Sequence, residues 1–121
     1  MDTIRQNIIE KFEQLLDGEE NGKIYSKGIE KGIYNSSLAF ADKKGIIKRW
    51  DNKIFKKIYL AKTRSVYSNL DKTSYINNNR LISRLKSGEF KPYQLADMEP
   101  IRLFPENWKK FLDEKNKRDK L

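Results

Sequence analysis

The residues with most chemistry to offer are cations that gather on one side of one segment. From Ile46 to Leu70 the sequence runs without Pro or Gly. A helical projection at about 100° per residue, with Trp50 at zero, puts Arg49, Lys53, Lys56, Lys57 and Arg64 at about 240° to 340°. Leu60 and Tyr67 lie between them, and no acid shares the arc. Solvated helix faces commonly mix signs, because opposite charges at i, i+4 gain about 0.2 to 0.5 kcal/mol per pair and like charges lose similar amounts. Arg49 with Lys53 and Lys53 with Lys57 are such like pairs. A one-sign run can also be an ordinary solvated face in a chain this basic. The chemistry a stripe of this kind supports is recognition of phosphates, anionic lipid or an acidic protein patch, with the leucine and tyrosine as apolar contacts. Lys62 projects at about 120°, inside the apolar arc, so its head group must emerge at the rim.

Composition points the same way and removes much other chemistry. Twenty-six basic residues against 17 acidic ones give a net charge of +9 over 121 residues, which calls for an acidic partner. There is no Cys and no His, so disulfides, thiol nucleophiles, imidazole bases and the usual zinc ligands are excluded. The acids of "DGEE" and "DEKNKRD" sit in breaker-rich or terminal stretches and form no catalytic pair. "GIEKG", Gly28 to Gly32, lacks the preceding strand and the third glycine of a dinucleotide loop, and no GxxxxGK[ST] occurs. The expectation is a non-enzymatic protein with no cofactor. The start, "MDTIRQNIIEKFEQLL", carries an early acid and no continuous apolar run, and no window approaches a membrane span. These features read as soluble and intracellular.

Periodicity then supplies the elements. Ile4, Ile8, Phe12, Leu15 and Leu16 predict an amphipathic helix from Asp2 or Thr3 to the "DGEENG" stop. A second helix is expected from about Lys23 to Ala41, with Ile29, Ile33 and Phe40 on one side. Gly28 and Gly32 within it each cost roughly 1 kcal/mol against Ala, and admit two readings: close backbone packing against a neighbour, or tolerated weak points. "DKKG" breaks the pattern before a third helix over Ile46 to Leu70, about 25 residues or roughly 37 Å. In its projection Ile47, Ile54, Ile58, Ala61 and Ser65 lie within about 80°, and Phe55, Tyr59, Val66 and Leu70 widen the apolar arc to about 200°. Asn69 is expected to help stop that helix. A polar loop, Asp71 to Asn79, leads to a short helix at Leu81, Ile82 and Leu85 that ends at Gly88, and a further turn is expected over Tyr93 to Ala96. Trp108, Phe111 and Leu112 predict a last turn before a charged tail. The fold class is all-α, a three-helix bundle with additional short helices over residues 1–104, followed by a charged helix or linker at 105–121.

With these elements in order, the chain resembles the central domain of transcription elongation factor S-II, TFIIS. "YLAKTRSVYSNLDK" is similar to the family's pattern of Tyr, basic residues, Arg-Ser, then Ser-Asn-Leu and a charged pair, with Tyr59, Lys62, Arg64, Ser65, Ser68, Asn69 and Leu70 at matching spacing. "LISRLKSGEFKPYQLADMEPIRL" is similar to the family's Leu-rich turn, Gly, Pro, Leu-Ala pair and Met, at Leu81, Leu85, Gly88, Pro92, Leu95, Ala96 and Met98. The first helix fits as well, so the resemblance covers nearly the whole chain. Three departures stand out: Val66 where the family has a further basic residue, a longer loop before Leu81, and prolines in "EPIRLFPENW".

The resemblance implies a three-helix bundle that docks on RNA polymerase II near the jaw and the opening of the secondary channel. Basic residues of the third helix contribute to the docking, and the carry-over by position goes to Lys62 and Arg64. Full-length relatives end in a four-cysteine zinc ribbon with an Asp-Glu pair that stimulates cleavage of backtracked RNA. Zinc is therefore expected only in such a ribbon. The surface expected to bind the polymerase joins both lines of reasoning: Arg49, Lys53, Lys56, Lys57, Leu60, Lys62, Arg64 and Tyr67. The rival reading is a basic helical module for nucleic acid, since cations with an interleaved tyrosine also suit phosphates and base stacking. For a cellular eukaryotic source the resemblance implies the nucleus. The Lys-, Asn- and Ile-rich composition of an AT-rich genome is equally compatible with a large DNA virus, where the place would be the virion or a cytoplasmic viral factory.

Overall fold

A computed structural model of the chain describes residues 2–106 apart from Tyr75, Asn77 and Asn79. The turn expected at Trp108, Phe111 and Leu112 lies outside the described residues. The elements run α1 (Asp2–Leu15), α2 (Gly22–Lys44), α3 (Lys53–Leu70) and α4 (Leu81–Lys86), then a 3-10 helix (Pro92–Asp97) and α5 (Pro100–Leu103). The fold is an all-α bundle of the first three helices with short helices added, and no strand occurs among the described residues. No helix among them is long and apolar enough to cross a membrane.

Each long helix buries the stripe its spacing dictates. On α1, Ile8 and Phe12 are buried, as is Leu16 just past its end at i+8, and Ile4 and Leu15 pack at the edge. Removing such a side chain from water stabilises by about 1.5 to 3 kcal/mol. On α2, Ser26, Ile29, Ile33 and Ser37 face inward, with both hydroxyls donating to the carbonyl four residues back. Gly45 ends α2 in left-handed backbone at φ 69°, and the following Ile46 N–H donates to the Ala41 carbonyl at 2.8 Å. Only glycine adopts that conformation without strain, which is why the helix stops there.

Gly28 and Gly32 mark close packing. The 3-10 helix lies directly on α2: a Cβ on Gly28 would come 2.9 Å from the Pro92 Cβ, and one on Gly32 would overlap the Tyr93 carbonyl oxygen. Leu95 is buried beneath this contact, and the most extensive packing between elements is here. Phe40, expected on the inner side of α2, is instead 41% exposed.

The third helix differs from expectation in length and in face. It begins at Lys53 rather than Ile46, because the Asn52 side chain accepts from the Ile54 and Phe55 amides at 3.0 and 3.1 Å and so caps the helix. The preceding Trp50 turns into the core, where its ring meets Tyr59 edge-on at 4.8 Å, Phe55 at 5.4 Å and Tyr34 stacked at 5.8 Å. The buried line of α3 is Phe55, Tyr59, Thr63, Val66 and Leu70. Ile47, Ile54, Ala61 and Ser65, assigned to the core by projection, are exposed, and Ile58 is half-buried. Leu60 and Tyr67, expected on the outer stripe, pack partly against the core.

The end of α3 and the C-terminal additions are fixed by side chains that take up free carbonyls. Asn69 donates to the Ser65 carbonyl at 2.8 Å and Ser74 to that of Ser68 at 2.6 Å. Buried Asn78 donates to the Leu103 carbonyl at 2.8 Å, and Arg84 donates to the carbonyls of Leu103 and Arg102 at 3.0 and 2.8 Å. The end of α5 is thereby held against α4. Gly88, at φ 80°, closes α4 as its position predicts.

Candidate functional site

Lys53, Lys56 and Lys57 crowd the first turns of α3, all exposed. This is the end where aligned peptide dipoles favour negative charge, and a misplaced cation costs about 0.3 to 1 kcal/mol. The first turn of α3 contains no acid. Among the described residues, none of these lysines nor Arg64 forms an ion pair. Lys53, Lys57, Leu60 and Arg64 follow one line down the helix at i, i+4, i+7 and i+11, a span of roughly 16 Å. The arrangement carries a local electrostatic penalty that an acidic surface would relieve.

Leu60, Arg64 and Tyr67 also line a groove of about 550 Å³ between α3 and α1, together with Ile8 and Lys11. The Tyr67 ring leans on buried Phe12 at 5.7 Å and 53°. No acid among the described residues lines this groove. A larger depression of about 860 Å³ lies at the α1–α2 corner and has the opposite character, lined by Glu10, Glu13, Asp17, Glu19 and Glu20. From α4, Lys86 reaches Glu19 there at 2.8 Å, and that hydrogen bond raises the pKa of the ammonium group.

Two of the expected surface residues stand apart. Arg49 lies in the connection before α3 and pairs with Asp51 at 3.3 Å, so it does not extend the helical line. Lys62 emerges on the side facing α2, its ammonium nitrogen 5.6 Å from the centre of the Phe40 ring, and Lys44 approaches the same ring at 6.0 Å. Lys62 as a whole is half-buried, in keeping with a snorkelling lysine. The fold thus groups Lys53, Lys56, Lys57, Leu60, Arg64 and Tyr67 and separates Arg49 and Lys62 from them.

The surface is held in place by a buried charge cluster that sequence reasoning missed. Glu30 of α2, 2% exposed, receives two hydrogen bonds from the Arg5 guanidinium at 2.7 and 2.9 Å and a third from the Tyr59 hydroxyl at 2.9 Å. One carboxylate therefore ties α1, α2 and α3 together. Arg5 also covers the Tyr34 ring at 3.9 Å. Its hydrogen bonds to Glu30 raise its pKa against the opposing effect of burial. Burial first, and the Glu30 charge second, push the Tyr59 phenol far above its ordinary value, so it stays a donor. A signal was present in the inward line Ser26, Glu30, Ile33 and Ser37 at i, i+4, i+7 and i+11. An acid on a buried stripe needs a cation partner. Lys11 was not singled out either, since only the approach of α1 to α3 brings it to the groove.

Residues 1–121 match the family model described as transcription factor S-II (TFIIS), central domain. No curated protein and no solved structure matches the chain.

Proposed function

The chain belongs to the transcription factor S-II (TFIIS) central-domain family, a domain of a transcription elongation factor, and from that premise we propose that it docks on a DNA-directed RNA polymerase through the outer face of α3. The observation that carries the proposal is the cluster of Lys53, Lys56 and Lys57 at the positive end of α3, continued by Arg64, with no counter-ion among the described residues. A face that lowers the stability of its own helix gains most from an acidic partner. Such charges steer encounter and set orientation, while Leu60 and Tyr67 supply surface that can be dried. Lys62, by the family pattern, contributes from the α2 side of the same helix.

The domain itself carries out no reaction in this account. With neither Cys nor His, it offers no thiolate or imidazole to zinc. In a longer protein that also carries a four-cysteine ribbon, its part is to place that ribbon so that the polymerase's own metal centre cleaves backtracked RNA.

The test is retention of purified polymerase by the immobilised chain at moderate salt, comparing wild type with the double variant Lys57→Glu, Arg64→Glu. Both residues are exposed, so helicity by circular dichroism should be unchanged while retention falls. Unaltered retention would place the interface elsewhere. Tight binding to bare DNA or RNA with a steep salt dependence, and no retention of polymerase, would favour the nucleic-acid reading.

A further inference from the structure

The groove between α1 and α3 combines an apolar floor of Ile8, Leu60 and Tyr67 with one cation on each wall, Lys11 and Arg64. We propose that it is an anchor site for a short acidic peptide segment of the docked partner, whose bulky apolar side chain fills the groove while flanking carboxylates meet Lys11 and Arg64. The proposal rests on the docking reading above and adds to it the chemistry of the segment that is held.

Size, polarity and charge each support this occupant. About 550 Å³ falls within the range of about 300 to 1,000 Å³ typical of binding clefts. The one buried hydroxyl of the lining, on Thr63, is already satisfied by donation to the Tyr59 carbonyl at 2.8 Å. The floor therefore asks for a hydrocarbon or an aromatic ring rather than a polar group. Lys11 and Arg64 make no ion pair among the described residues. Charge around the groove is separated by sign: Lys11 of α1 and Arg64 of α3 border it, and Glu10, Glu13, Asp17, Glu19 and Glu20 line the α1–α2 corner. An acidic segment is drawn to the groove and repelled by the corner. A nucleic acid is the poorer fit, because two rim cations supply no track of phosphate contacts and the single ring of the lining, Tyr67, is half-buried against Phe12.

The test titrates the isotope-labelled chain with a short synthetic peptide carrying one Phe between Asp and Glu residues, followed by nuclear magnetic resonance. The expected result is saturable shifts at Ile8, Lys11, Leu60, Arg64 and Tyr67. They should be lost when the peptide's Phe is replaced by Ala, or when the chain carries Lys11→Glu or Gln14→Trp. Both substituted positions are exposed on α1 and line the groove, so neither disturbs the core or the lysines of α3. In the polymerase assay each should weaken retention about tenfold, the scale of losing a single interface anchor. Shifts confined to the lysines of α3, undiminished binding of the Ala peptide, or an oligonucleotide that occupies the groove in the peptide's place would overturn the proposal. So would concentration-dependent self-association that moves the groove signals, since a second copy would then be the occupant. If Lys57→Glu with Arg64→Glu releases polymerase and the α1 variants do not, the groove inference fails and the docking reading stands. If wild type retains no polymerase, the docking reading fails and the peptide titration still decides the groove.

Discussion

Glu30 ties the three long helices together, and it and Arg5 are not equivalent members of their ion pair. The carboxylate is 2% exposed, whereas the Arg5 side chain keeps 31% of its surface in contact with solvent. Removing Arg5 leaves a buried carboxylate with one hydroxyl donor from Tyr59, while neutralising Glu30 leaves a guanidinium that water can still reach. Loss of one partner of a buried pair costs about 3 to 5 kcal/mol. Arg5→Leu should approach that range, and Glu30→Gln should fall well short of it. Urea unfolding of the two variants compares them directly, and equal losses would mean that burial of the carboxylate is not the governing cost. The cluster was legible only in part. Glu30 lies on the inward line of α2 at the right spacing, but periodicity within one helix cannot tell which residue of another will reach it, and Arg5 stands 25 positions away.

Among the elements, α2 and α3 each contain a feature that lowers helix stability for a reason outside the helix. In α2 the reason is the 3-10 helix, which occupies the space a side chain would need. Gly32→Ala gains about 1 kcal/mol in helix propensity but drives a methyl into the Tyr93 carbonyl, so it should destabilise the domain. A higher midpoint in thermal unfolding would show that the backbone contact is not close. In α3 the feature is the lysine cluster of its first turns, and the reason outside the helix is the proposed acidic partner. Lys53→Glu should stabilise the domain by about 0.5 to 1 kcal/mol through the helix dipole and weaken polymerase retention, so the two readouts should move in opposite directions. Stops written in glycine, Gly45 and Gly88, were readable in advance because left-handed backbone leaves little choice of residue. The start of α3 was not, because Asn52 acts through its side chain and interrupts no apolar pattern. Nor was its buried face. Ile54 and Ile58 on one flank and Leu60 and Tyr67 on the other are equally apolar, and the position of α1 decides which pair is covered.

At the scale of the molecule, charge is segregated. A net charge of +9 coexists with an acidic corner between α1 and α2, so the basic face of α3 is a local property and not a uniform excess. The all-α architecture and the order of its elements were legible because each long helix carries its own period. The grouping of site residues was less so, because Arg49 leaves the line once the helix starts late, and Lys62 turns to the α2 side. The proposed docking sets the lysine end of α3, rather than the acidic corner, against the polymerase. Site-specific photo-crosslinking tests this most directly, with a photoreactive side chain placed at Lys57 or, in a second variant, at Glu20, both exposed. The account predicts a crosslink to a polymerase subunit from position 57 and none from position 20. A crosslink from position 20 alone, in a chain that still binds, would contradict it.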